Sequence, residues 1–187
     1  MRLFVAVDID PETRAQLGEA RDAMQAALLT SRVPPRVTWV KPENAHVTLR
    51  FIGEASEATA IRIGAALKQM TGATGFDVSW DRLGGFPNDR RPRVVWIGPR
   101  SADALADLAQ QVNDVLTPIV GPGESRPFAP HLTLGRVKEP GAGVDWPRAY
   151  AARTWVATLT RVDHLTLYLS RLSSKGPTYT AVSRVAG

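Results

Sequence analysis

Every histidine of this chain opens the same tetrapeptide. There are three, and His46, His131 and His164 are each followed by threonine two places on and leucine three places on, as HVTL, HLTL and HLTL. In a β-strand, residues i and i+2 share a face. Each tetrapeptide therefore reads as a half-buried strand. An imidazole and a hydroxyl lie side by side on its wet face, and apolar side chains such as Val47 and Leu49, or Leu132 and Leu134, point the other way into a core. One histidine meets both neighbours by chance roughly once in 140 tries at this composition. Three matches out of three therefore constrain both fold and chemistry.

The segments around these strands predict an α+β fold. The run RLFVAVDI alternates Leu3, Val5 and Val7 against Phe4, Ala6 and Asp8, as a strand does. Asp10 then caps a helix with Pro11 at its first position, running to about residue 29. Two prolines end it before a short strand through Val37 and Trp39, and AHVTLRFIG is a strand closed by Gly53. Ser56 is expected to cap a second helix and Ser101 a third, whose Leu105, Leu108, Val112 and Val115 share one face. The segments FDVSWDRL, PRVVWIG, HLTLGRV, TWVATLTRV, HLTLYLSRL and YTAVSRV read as further strands, with a turn at SSKGPTY. Mainly antiparallel sheets with outer helices follow from this order. The two halves resemble each other as a degenerate duplication, and no long linker separates them. Residues 1–187 are expected to form one domain of two lobes around a central cleft.

Composition excludes several chemistries. There is no cysteine, which removes disulfides, thiol catalysis and Cys-ligated zinc. No apolar run is long enough to span a membrane, and the opening segment turns acidic too soon for a secretory signal, so a cytoplasmic protein is expected. The net charge of +5 suits either an anionic partner, such as a phosphate ester or RNA, or simply a solubilising surface.

Two His-x-Thr strands facing each other make a cleft with two imidazoles and two hydroxyls. A neutral histidine takes a proton from water, a protonated one gives a proton to a leaving oxygen, and the threonines donate to non-bridging phosphate oxygens. That set suffices for phosphodiester hydrolysis without a metal. Two alternatives remain at this point. One is a nucleotide- or RNA-binding module without turnover, against which the intact His and Thr of both motifs argue. The other is a histidine metal site, against which the lack of Asp, Glu and Cys in the tetrapeptides argues.

These motifs resemble those of the 2H phosphoesterases, and among them the bacterial and archaeal RNA 2′,3′-cyclic phosphodiesterases, historically called 2′-5′ RNA ligases. The similarity runs through MRLFVAVDI, NAHVTLRFIG, GGFPNDRRPRVVWIG, FAPHLTLGRV and LTLYLSRLSSKGPTYTAV, nearly the whole chain. The resemblance implies a bilobal fold with the two motifs facing across a cleft. It implies hydrolysis of a 2′,3′-cyclic phosphate end, on RNA or a small cyclic nucleotide, to a 2′-phosphate, and reversible 2′-5′ ligation. It implies no metal and no other cofactor. His46 becomes the proton donor and His131 the proton acceptor, with Thr48 and Thr133 on phosphate oxygens. A monomer is expected.

Three further residues are harder to place. His164 lies in the closing hairpin and lacks the flanking signatures of the other two motifs, so it reads as a structural or solvent-facing strand position. Alternation puts Arg50 on the face of His46 and Thr48, as a substrate-binding candidate. Arg136 is a candidate through the resemblance, but alternation from His131 puts it on the wrong face unless the strand bulges near Gly135. Arg90, Arg91 and Arg93 sit in a turn, and Phe51 and Phe128 flank the motifs as candidates for the cleft mouth.

Overall fold

The computed structural model describes residues 1–70, 72–155, 157–173 and 176–186. Along the chain come β1 (Arg2–Asp8), α1 (Pro11–Leu28), β2 (Arg36–Trp39), a 3₁₀ turn (Pro42–Asn44), β3 (His46–Glu54), α2 (Glu57–Leu67), β4 (Phe76–Phe86) and β5 (Val94–Pro99). Then follow α3 (Asp103–Val120), β6 (Leu132–Glu139), α4 (Trp146–Tyr150), β7 (Thr158–Val162), β8 (His164–Ser173) and β9 (Gly176–Ala186). The expected turn at SSKGPTY and the strand at TWVATLTRV fall in part on residues 174, 175 and 156, outside the described residues.

Helix starts follow local chemistry. The Asp10 carboxylate accepts the Thr13 N–H at 2.8 Å, and Pro11 opens α1, where no N–H is missed. Ser56 Oγ does the same for Thr59 N–H at 3.1 Å at the start of α2. The α3 expectation is corrected by one residue. Ala102 is the N-cap, and Ser101 sits before it with its hydroxyl accepting the Asp103 N–H at 3.3 Å. The short helix α4 has its own cap, Asp145 accepting from Arg148, but five residues are too few to show a period in the sequence.

Two antiparallel sheets result, an α+β architecture. One has the order β3-β1-β8-β9 and the other β2-β6-β5-β4-β7. The two halves of the chain therefore exchange strands. The C-terminal hairpin β8-β9 completes the sheet begun by β1, and β2 joins the sheet of the second half. Helix α3 packs on β3 and against α2, while α1 packs on β6 and β7. Leu105, Leu108, Ala109, Val112 and Leu116 of α3 meet Val5, Val7 and Val47 in the buried core. Burying the leucines and valines among them stabilises the fold by about 1.5–3 kcal/mol each. The helices pack on the sheets, and the two sheets touch at the motif strands β3 and β6.

Candidate active site

His46 begins β3 and His131 stands one residue before β6, so the two motifs come from different sheets. Their imidazoles are held alike. His46 Nδ1 lies 2.8 Å from Asn44 O, and His131 Nδ1 lies 2.8 Å from Ala129 O. A carbonyl only accepts, so Nδ1 carries the hydrogen in both rings and Nε2 is the nitrogen left for chemistry. In each case the acceptor is the residue two places before, which is why the same local backbone recurs. His46 Nε2 is 3.1 Å from Thr48 Oγ1, the imidazole–hydroxyl pair that the spacing predicts.

Both strands bulge just past the threonine, and the two bulges decide which arginine enters the cleft. In β3, Val5 pairs with Arg50 and Ala6 with Thr48, so Leu49 has no β1 partner. Arg50 therefore turns to the helix-covered face, correcting the expectation from alternation. It is only 4% exposed. Its Nη1 donates to Asn113 O at 2.9 Å, Asn113 Oδ1 at 3.0 Å and Thr117 Oγ1 at 3.3 Å, and its Nη2 donates to Gly121 O. A cation thus satisfies the carboxyl end of α3, where helix carbonyls lack partners.

In β6 the opposite happens. Val95 pairs with Gly135 and Trp96 with Thr133, so Leu134 is the extra residue. Leu134 and Gly135 are both buried, and Arg136 swings to the face of Thr133. A Cβ on Gly135 would lie 2.8 Å from Val37 Cγ1 and 2.9 Å from Trp39, so the bulge closes only around a glycine. The Arg136 charge opposes protonation of both His46 and His131. It also acts on Tyr179 of the other sheet.

The ring of His46 is packed between aromatic neighbours. Phe4 lies 4.8 Å away centroid to centroid, and Tyr179 meets it edge-on at 5.1 Å and 89°. His131 has Phe86 edge-on at 5.2 Å. Burial pushes both imidazoles below the ordinary histidine value, against the opposing effect of their Nδ1 hydrogen bonds. For His46 the Asp8 carboxylate also works upward, while His131 and Arg136 work downward; for His131 the added charge effect is Arg136, downward. Among the described residues no group of three or more His, Asp or Glu side chains converges as a metal site requires.

The third motif joins the same sheet as the first. Ala6 pairs with Thr166 and Phe4 with Tyr168 on one side of β1, and Asp8 pairs with His46 on the other. His46, Asp8 and His164 thus form a row across three strands. His164 Nε2 donates to Asp8 Oδ2 at 3.0 Å, Thr166 Oγ1 to the same oxygen at 2.9 Å, and Tyr168 Oη to Asp8 Oδ1 at 2.5 Å. His164 Nδ1 donates to Asp163. His164 is half-buried and tied into this row by hydrogen bonds to Asp8 and Asp163.

Sequence reading did not single out Asp8, Phe4, Tyr168 or Tyr179. The faces of Asp8, Phe4 and Tyr168 follow from the alternation of β1 and β8 and Tyr179 lies in β9, but which strands flank His46 is a matter of sheet order. Phe51 is 56% exposed on the cleft side of β3, paired with Phe4, and Phe128 is half-buried. Trp80 and Trp146 are core residues, and Arg90 and Arg91 lie in an exposed turn.

The same architecture recurs in known proteins. A model of the 2′-5′ RNA ligase superfamily matches residues 9–172. An Archaeoglobus fulgidus protein named RNA 2′,3′-cyclic phosphodiesterase is 36% identical over 180 residues, 96% of each chain. A Methanothermobacter thermautotrophicus protein of the same name is 32% identical over 96% of this chain and 95% of its own. Among solved structures, a Thermus thermophilus protein superposes with a TM-score of 0.81 at 28% identity, covering 100% of this chain and 97% of that one. LigT of E. coli, crystallised with 3′-AMP, superposes with a TM-score of 0.73 at 28% identity, covering 99% and 97%. Family model, relatives and fold agree over nearly the full length, and on that footing the chain belongs to the 2′-5′ RNA ligase superfamily.

Proposed function

We propose that this chain hydrolyses 2′,3′-cyclic phosphate ends of RNA, or small cyclic nucleotides, to the 2′-phosphate without a metal. It does so as a single two-lobed domain, a monomer in the cytoplasm. The observation that carries this reading is the paired site itself: two imidazoles from different sheets, each with Nδ1 fixed on a carbonyl, each with a threonine hydroxyl two residues on. The relatives named RNA 2′,3′-cyclic phosphodiesterase support it.

In the reaction, His131 Nε2 takes a proton from water as the water oxygen attacks phosphorus. The bond from phosphorus to the 3′ oxygen breaks, and His46 Nε2–H gives its proton to that oxygen. In-line attack requires the two histidines on opposite sides of the phosphorus, and motifs drawn from two different sheets support that arrangement. Thr48, Thr133 and Arg136 hold the non-bridging oxygens, where charge builds. Run in the same direction with a ribose 5′-hydroxyl in place of water, the step forms the phosphorus–5′ oxygen bond, breaks the bond to the 3′ oxygen, and leaves a 2′-5′ junction. Phosphorus NMR of the product from a nucleoside 2′,3′-cyclic phosphate tests the reading. A single 2′-phosphate that forms even with a strong chelator present is expected; a 3′-phosphate or an equal mixture overturns it.

A further inference from the structure

The two catalytic candidates are nearly symmetric, yet an acid and a base must differ. The fold breaks the symmetry of charge beside the two rings. Asp8 lies beside His46 in register on β1. Among the described residues no carboxylate acts on His131, whose charged influence is Arg136. Leu132 pairs with Ile97, so the next β5 residues alongside His131 are Gly98 and Pro99, which carry no charge.

Asp8 does not spend its carboxylate on His46. Its hydrogen bonds all come from β8: His164, Thr166 and Tyr168, with Arg184 of β9 at 3.6 Å. A carboxylate held this way keeps its charge beside His46 without locking that ring into a direct ion pair. His164, between Asp8 and Asp163, donates from both nitrogens, which only the imidazolium does. Burial acts to raise the Asp8 carboxyl, but bonds from Tyr168, His164 and Thr166 hold it below the ordinary carboxylate value. The Tyr168 hydroxyl is pushed up to about 12 by burial and by Asp8, so it remains a donor.

We propose that Asp8 is a positioning residue for the acid histidine: its clamped carboxylate keeps His46 the protonated member of the pair, and the third His-x-Thr strand is the clamp. The groups acting on His46 are Asp8 from β1, His131 from before β6 and Arg136 from β6, with the uncharged rings of Phe4, Tyr168 and Tyr179 packed around it. Those acting on Asp8 are His164, Thr166, Tyr168 and Arg184. Removing the carboxylate destabilises the His46 imidazolium. Removing the His164 cation does the reverse, because the Asp8 charge is then less neutralised.

The inference rests on the two-histidine reading, but its test does not need turnover. With three histidines in the chain, ring NMR signals are assigned by single substitutions, and His46 is titrated without substrate. Asp8→Asn should make His46 titrate at lower pH, Asp8→Glu should restore it, and His164→Gln should move it to higher pH. The alkaline limb of the rate profile should follow, with roughly tenfold less turnover above that limb in Asp8→Asn. A merely structural role would not move two folded variants in opposite directions. If Asp8→Asn does not fold, His164→Gln decides: a rise supports the inference, and no change or a fall overturns it. His46 unmoved in folded Asp8→Asn overturns it too. A wild-type protein that hydrolyses no cyclic phosphate would sink the proposed function while leaving this titration to be read.

Discussion

Arg50 and Gly135 are counterparts. Each is the fourth residue after its motif histidine, each follows the leucine left without a partner at a bulge, and each is turned into the buried face of its sheet. The register then delivers Phe51 and Arg136, one residue further on, to the cleft. The two motifs are thus alike in backbone and different in what the backbone presents: an aromatic ring on one side and a cation on the other.

The two arginines should therefore respond to substitution in different ways. Arg50→Met leaves carbonyls at the end of α3 unsatisfied and should cost about 1–3 kcal/mol of stability, with turnover of the folded protein little changed. Arg136→Met should leave the melting temperature near the wild-type value, raise KM and lower kcat/KM. Melting curves with steady-state kinetics distinguish them, and an Arg50 variant of normal stability but poor turnover would contradict the assignment.

Gly135→Ala should resemble a weak Arg136 variant. The added methyl meets Val37 and Trp39, so β6 must shift against β2 and carry Arg136 with it. Lower kcat/KM together with reduced stability is expected; unchanged kinetics would show that Arg136 does not depend on the bulge.

His46→Ala and His131→Ala should each cost about 10²–10⁴ in turnover or more, the range of a lost acid or base. Near its own pH optimum His164→Gln should lose far less, because its ring acts through Asp8 and not on substrate. Equal losses at His164 and His46 would give the third motif a direct catalytic role.

The imidazoles of His46 and His131 both lie below the ordinary histidine value of 6.5, through burial first. The acid limb of kcat/KM rises as His131 loses its proton, and the alkaline limb falls as His46 loses its own. The bell should therefore be centred on the acidic side of 6.5. A rate that climbs to a plateau at about pH 9 would point to a single base instead.

Stability carries a separate pH signature. Burial opposes protonation of His164, but the bonds to Asp163 and Asp8 outweigh it and raise it above 6.5. Its contribution is whole below the unfolded histidine value and is lost as pH rises through the folded one. Asp8 is lowered, so its share is present above the unfolded carboxylate value and is lost as pH falls through the folded one. The melting-temperature difference between wild type and His164→Gln should thus be largest between about pH 4 and 6.5 and shrink above it. A difference independent of pH would mean that His164 is not charged in the folded protein.

Local chemistry made much of this protein legible before any folding. Asp10 with Pro11, Ser56 and the period-2 alternation of β1, β3 and β8 announce their elements, because caps and strand faces depend on neighbours a few residues away. His46 with Thr48 is legible for the same reason. What the chain could not declare was decided between strands. Leu49 and Leu134 lack a partner only because β1 and β5 stand beside them in a particular register, and one unpaired residue reverses every later side chain in a pleated strand. That sent Arg50 into the core and Arg136 into the cleft. The neighbourhood of His46 was likewise settled by sheet order. Asp8 and His164 are 156 residues apart in sequence, and they bond because β8 returns from the far end of the chain to lie against β1.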